Sequence, residues 1–184
     1  MRIRWVAVGA LALLALTACQ PNEDEEAEAL PPVEIVEQPA ASAGGACILW
    51  DYAFIKEKTG VTFEVAAADQ IDDTSTCVVQ TVSGDYPDLA LSVVESTKAT
   101  AAQFLDDLKP AKATKLKGLG KAAYRLTGAA GGGHGPVIEI GWLSEAKQIQ
   151  TLRFTFPTTA KPADVTAMNA KLFNLAKAMN TTAG

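Results

Sequence analysis

Three regimes of hydrophobic and polar positions divide the chain. Trp5 to Leu16 is an unbroken apolar run behind Arg2 and Arg4, residues 20–46 are polar and acidic, and from Cys47 onward apolar residues recur at strand and helix spacings. Asp51 is placed to cap a short helix running to about Lys58, which turns Phe54 and Ile55 inward beside Trp50, and Gly60 is placed to end it. Val61 to Ala66, Thr76 to Val82 and Asp88 to Glu95 alternate as strands, the last two separated by the turn Ser83-Gly84-Asp85-Tyr86-Pro87. A second helix is expected from Ser96 or Thr97 through Leu108, stopped by Pro110.

The remainder repeats strands followed by a helix, without a residue-level repeat. Ala122 to Leu126 reads as a short strand after Gly118-Leu119-Gly120, the loop Gly128 to Gly135 follows, and Val137 to Leu143 and Gln148 to Phe156 are strands. Pro162 suits the first turn of a closing helix in which Val165, Met168, Leu172, Leu175 and Met179 form an apolar stripe. Hairpin-length connections predict an α+β domain: a mainly antiparallel sheet of about five to six strands packed by two or three helices, in the order α-β-β-β-α-β-β-β-α.

The N-terminal apolar stretch changes where this domain is expected to work. Trp5 to Ala18 spans only fourteen residues, short of the roughly 20 that cross a hydrocarbon core, and the basic start suits an export signal. Leu16-Thr17-Ala18-Cys19 resembles the lipobox of bacterial lipoproteins. That resemblance implies removal of residues 1–18, lipidation of Cys19, and attachment to the outer face of the bacterial cytoplasmic membrane. Residues 19–46 then form a tether. They carry seven acids, no Lys or Arg, and Pro21, Pro31, Pro32 and Pro39, a composition that cannot bury enough apolar surface to offset its ordering entropy. Val33-Glu34-Ile35-Val36 is its apolar interruption and a candidate to extend the sheet edge. Residues 47–184 hold 14 bases and 14 acids, so the negative charge of the mature chain sits in the tether.

With Cys19 assigned to lipid, Cys47 and Cys77 remain for one structural disulfide in an oxidising compartment. Zinc binding and a redox pair are the alternatives. Two distant cysteines without a neighbouring His do not make a zinc site, and a redox pair more often has the spacing Cys-x-x-Cys. Cys47-Ile48-Leu49, a short helix, Gly60 and Cys77 within a strand resemble small actinobacterial cell-envelope lipoproteins of unknown function. Lys117-Gly118-Leu119-Gly120-Lys121-Ala122-Ala123-Tyr124, followed by two strands and a last helix, is similar to them also. That resemblance implies a PsbP-like α+β sandwich over residues 47–180 and carries no catalytic residues.

Candidate chemistry is sparse. His134 is the sole histidine and sits among glycines in Gly128 to Gly135, and no Gly-x-Ser-x-Gly elbow accompanies it. A phosphate loop is excluded because a strand follows these glycines where a helix N-terminus is needed. Asp69, Asp72, Asp73, Asp85 and Asp88 supply calcium-type oxygens at a spacing that matches no EF-hand. Lys109, Lys112, Lys115, Lys117, Lys121 and Arg125 form an acid-free basic stretch suited to anionic headgroups or cell-wall polymers. Lacking interleaved aromatics, the stretch does not suit nucleic acid. An apolar ligand between sheet and helix would lie near Trp142, Phe154 and Phe173.

The leading expectation is a non-enzymatic, lipid-anchored envelope domain that binds or scaffolds, with no cofactor, no metal, and an envelope protein or apolar ligand as partner. A hydrolase or modifying enzyme with a fold-assembled site and an apolar-ligand carrier are the alternatives.

Overall fold

The computed structural model of the chain describes residues 38–95 and 97–182, with side chains through Met179. The expected signal at 1–18, the expected lipidation site Cys19, the expected tether as far as residue 37, Val33–Val36 and Ser96 lie outside the described residues. Within them, the packed body begins before residue 47. Two 3-10 turns, Ala40–Ala43 and Gly45–Leu49, precede the first helix, and Ala40 and Ala46 are buried in the main core.

Helix α1, Tyr52–Thr59, forms where its caps place it. The Asp51 carboxylate accepts from the backbone N–H of Ala53 and Phe54, at 2.7 and 3.2 Å, and Gly60 closes the helix in the left-handed region. Seven strands follow in one fully antiparallel sheet: β1 (Val65–Ile71), β2 (Thr74–Gln80), β3 (Asp88–Val94), β4 (Thr114–Leu116), β5 (Ala122–Gly128), β6 (Val137–Leu143) and β7 (Ile149–Thr155). Their spatial order is β1-β2-β3-β7-β6-β5-β4. Between β3 and β4 lie α2, Ala101–Gln103, and a π turn, Phe104–Leu108. Helix α3, Pro162–Thr182, closes the domain.

The α+β class and antiparallel sheet hold, whereas the strand count and the order expected of a PsbP-like sandwich do not. Seven strands replace five to six, because β4 inserts ahead of β5. Strand β4 is three residues long with no buried side chain, so it leaves no alternation to read. Strand β1 sits four residues later than its pattern suggested, since almost all of it is exposed and its limits are set by pairing with β2. The second helix starts late because the Thr97 backbone N–H and hydroxyl both donate to the Lys147 carbonyl, at 3.1 and 2.7 Å. That anchor leaves Thr100 to begin the helix in a capping box with Gln103.

The sheet has unequal faces. Cys77 and Val79 of β2, Leu89, Leu91 and Val93 of β3, Leu152 and Phe154 of β7, and Ile138, Ile140 and Trp142 of β6 turn to one side. There they meet Val165, Met168, Leu172, Leu175 and Met179 of α3, and all of the α3 stripe is buried. Among the described residues, the opposite face is covered where Phe104 and Ala113 pack on Ala122, Tyr124 and Leu143. Elsewhere it presents half-buried small and polar side chains such as Thr76, Ala90, Ser92 and Thr151.

Candidate functional site

A cleft of about 420 Å³ opens beside the Gly45–Leu49 turn, on the core face of the sheet. Its floor is a row across three strands, Gln70, Ser75 and Val93, which the register places side by side. The wall is Gly45, Ala46, Ile48 and Leu49, and the rim carries Asp72, Asp73, Glu95 and Gln148. Ile48 is 67% exposed and Leu49 41%, so the wall offers solvent-facing aliphatics to whatever enters the recess. Among the described residues no lysine or arginine lines the cleft.

Local chemistry holds the wall in place. Cys47, within the turn, is disulfide-bonded to Cys77 of β2, with Cα atoms 5.0 Å apart. Both residues are fully buried. The Ala46 N–H donates to Ser75 Oγ at 2.8 Å. Gly45 has φ +52°, and a Cβ there would come within 2.9 Å of the same Ser75 oxygen, so glycine is what lets the turn sit this close to the sheet. On the rim, the Glu95 N–H donates to the Asp73 carbonyl at 3.1 Å, which fixes the end of β3 against the β1–β2 turn.

The opposite face brings a few ionisable groups together near β6 and β7. A smaller recess of about 210 Å³ is lined by Leu126, Gly128, Ala129, His134, Val137, Glu139 and Arg153. The Tyr124 hydroxyl donates to Glu139 Oε1 at 2.8 Å. Burial, followed by that carboxylate, holds the phenol well above its usual range. His134 is tied into its loop by a two-way backbone bridge with Gly131. Its Nδ1 lies 2.6 Å from the Gly135 carbonyl and so carries the proton there. The ring meets Tyr86 edge-on at 5.8 Å. Among the described residues no hydrogen bond joins His134 to a carboxylate or a hydroxyl.

Asp88, at the start of β3, is raised above the ordinary carboxylate range by burial, against the pull of Thr155, Arg153 and His134. A carboxyl raised by folding adds stability that is fully present below its unfolded value and is lost as pH rises through the folded value. Asp88→Asn removes that loss. In urea titrations the variant is expected to gain on the parent between about pH 3.5 and pH 7; an equal gap at both values would contradict the assignment.

The other residues singled out by sequence scatter over the fold. Lys115 and Arg125 lie on opposite faces of the β4–β5 ladder, because Lys115 stands opposite Tyr124 and Thr114 opposite Arg125. The Lys109 ammonium donates to the carbonyls of Pro110 and Ala113, and Lys121 stands 3.9 Å from Glu145. Lys112 and Lys117 are exposed. Asp69, Asp72 and Asp73 sit at one end of the β1–β2 hairpin, Asp85 and Asp88 at the other. Among the described residues no group of three or more His, Cys, Asp or Glu could hold a metal. Trp142 and Phe154 are buried in the main core and Phe173 packs at its edge, and none of the three lines either recess.

The cleft beside the disulfide was missed by sequence reasoning. Its one local signal is that Ile48 and Leu49 follow a cross-linking cysteine at the start of the domain, where the chain has little else to bury. Comparisons of this chain with protein-family models, with curated proteins and with solved structures give no match.

Proposed function

We propose that the chain is an exported, lipid-anchored recognition module, held by Cys19 at the outer face of a bacterial cytoplasmic membrane. Its work is binding rather than catalysis, and the cleft beside the Gly45–Leu49 turn is where a partner docks. The observation that carries this reading is the combination of Leu16-Thr17-Ala18-Cys19 with a body whose other two cysteines are cross-linked. Disulfides persist in oxidising compartments, and a lipobox-like junction is the route that leads there. The likeness to small actinobacterial envelope lipoproteins belongs to the same reading and rests on the residues around Cys47, Gly60, Cys77 and Lys117–Tyr124.

Among the described residues no helix is long and apolar enough to cross a membrane, so in this account the lipid supplies the attachment. Each buried methylene of an acyl chain contributes about 0.8 kcal/mol, and two or more chains make attachment stable. Cys19→Ala is therefore expected to move the protein from the membrane pellet to the soluble fraction. Intact-mass analysis of the parent should show a chain starting at an acylated Cys19. A Cys19→Ala protein that still pellets with membranes, or a parent that retains residues 1–18 with an unmodified thiol, would remove the anchor.

A further inference from the structure

We propose that the cleft beside the Gly45–Leu49 turn receives a polypeptide segment that sets a lysine or arginine next to an aliphatic side chain. This deepens the binding-module reading and rests on it. Two features of the cleft select such a ligand together. The rim bears the carboxylates of Asp72, Asp73 and Glu95 with no base among the lining residues, and the wall offers Ile48 and Leu49, both exposed to solvent.

A cation alone would use the rim and leave the wall wet. An apolar ligand alone would cover the wall and leave the three exposed rim carboxylates without a counter-charge. An anionic lipid headgroup or polymer is repelled. The described residues offer no group of ligands for a metal. A basic–aliphatic segment meets both surfaces: its ammonium or guanidinium reaches the rim, its neighbour covers Ile48 and Leu49, and the amides of Gln70 and Gln148 can bond its backbone.

The disulfide sets the site's geometry, since it pins the Gly45–Leu49 wall to β2. The cleft is about 420 Å³, within the range of sites that hold small ligands or a few side chains.

The test is fluorescence anisotropy on the mature lipidated chain in non-ionic detergent. The probes are three labelled hexapeptides that alternate lysine with leucine, lysine with glycine, and glutamate with leucine. Binding of the lysine–leucine peptide is expected, with affinity falling as salt rises. The lysine–glycine peptide should bind several-fold more weakly, and the glutamate–leucine peptide should not bind. Asp72→Asn, Asp73→Asn and Glu95→Gln combined should weaken lysine–leucine binding about tenfold or more, from the loss of three partly exposed charge pairs. Ile48→Ser with Leu49→Ser is an independent arm on exposed positions and should bring the two lysine peptides to the same affinity.

Equal binding by the parent and the charge-neutralised variant would overturn the proposal, because it would place the interaction on the acidic tether that both retain. Equal affinity of the parent for the lysine–leucine and lysine–glycine peptides would overturn it also, as would displacement of the peptide by calcium at low concentration. The anchor is judged separately. A Cys19→Ala protein that binds the peptide in solution leaves this site standing whatever becomes of the membrane attachment, and an anchored protein that binds none removes the site alone.

Discussion

Replacing Cys47 and Cys77 together by alanine is expected to lower the unfolding free energy by about 3–4 kcal/mol. The cross-link spans 30 residues, and opening a loop of that length restores chain entropy to the unfolded state by roughly this amount. Both cysteines are fully buried, so their replacement also leaves unfilled space in the core, which adds to the loss. In a domain of this size the midpoint of thermal unfolding should fall by roughly 10 °C. Urea titration with linear extrapolation gives the free energy directly, and a change below about 1 kcal/mol would show that the link constrains little. The loss should be felt first at the Gly45–Leu49 turn. Without the cross-link, that turn is held by the Ala46–Ser75 hydrogen bond and the burial of Ala40 and Ala46.

Gly120→Ala is expected to be comparably damaging, at about 2–5 kcal/mol, through a different mechanism. Gly120 has φ +53°, and a Cβ there would run into the carbonyl oxygen of Leu143. That carbonyl is already engaged, since it accepts from the Lys121 N–H at 2.8 Å. The backbone of Leu143 belongs to β6 and cannot retreat without moving Trp142, which is fully buried. The left-handed conformation adds a further cost for any residue with a Cβ. Gly118→Ala makes a paired control: its φ of +78° is similar, but nothing lies within 4 Å of the added carbon. The difference between the two variants in urea midpoint isolates the collision. If both lose the same stability, the collision at Leu143 contributes nothing and the conformational term alone is at work.

These two sites differ in how far they could be read in advance. The cysteine pair follows from counting once Cys19 is assigned to lipid. The need for glycine at position 120 does not, because the carbonyl it approaches lies on a strand more than twenty residues later. The same division runs through the fold. Helix α1 is legible because Asp51 and Gly60 act on their immediate neighbours, and α3 because one-sided burial imprints its apolar stripe. Strands β3, β6 and β7 fall within a residue or so of their patterns for the equivalent reason: buried neighbours enforce alternation or near-continuous apolarity. Strand β1 buries almost nothing and β4 is too short, so pairing alone defines them. The start of the second helix is decided by Lys147, 50 residues away from Thr97.

The cleft combines all of these difficulties. Gln70, Ser75 and Val93 become neighbours only when three strands are in register, and Gln148 joins them from the β6–β7 connection. No window of the chain contains them. The basic stretch is the converse case: Lys115 and Arg125 are close in sequence, but pleating sends them to opposite faces.

The strand order also divides the sheet into two meanders, β1 to β3 and β4 to β7, stitched along the single seam where Asp88 stands opposite Thr155 and Val94 opposite Ile149. Each meander is built from neighbours in the chain and costs little entropy to close, whereas the seam brings together strands separated by a long excursion. Assembly is therefore timed by the encounter of two halves rather than by any one turn.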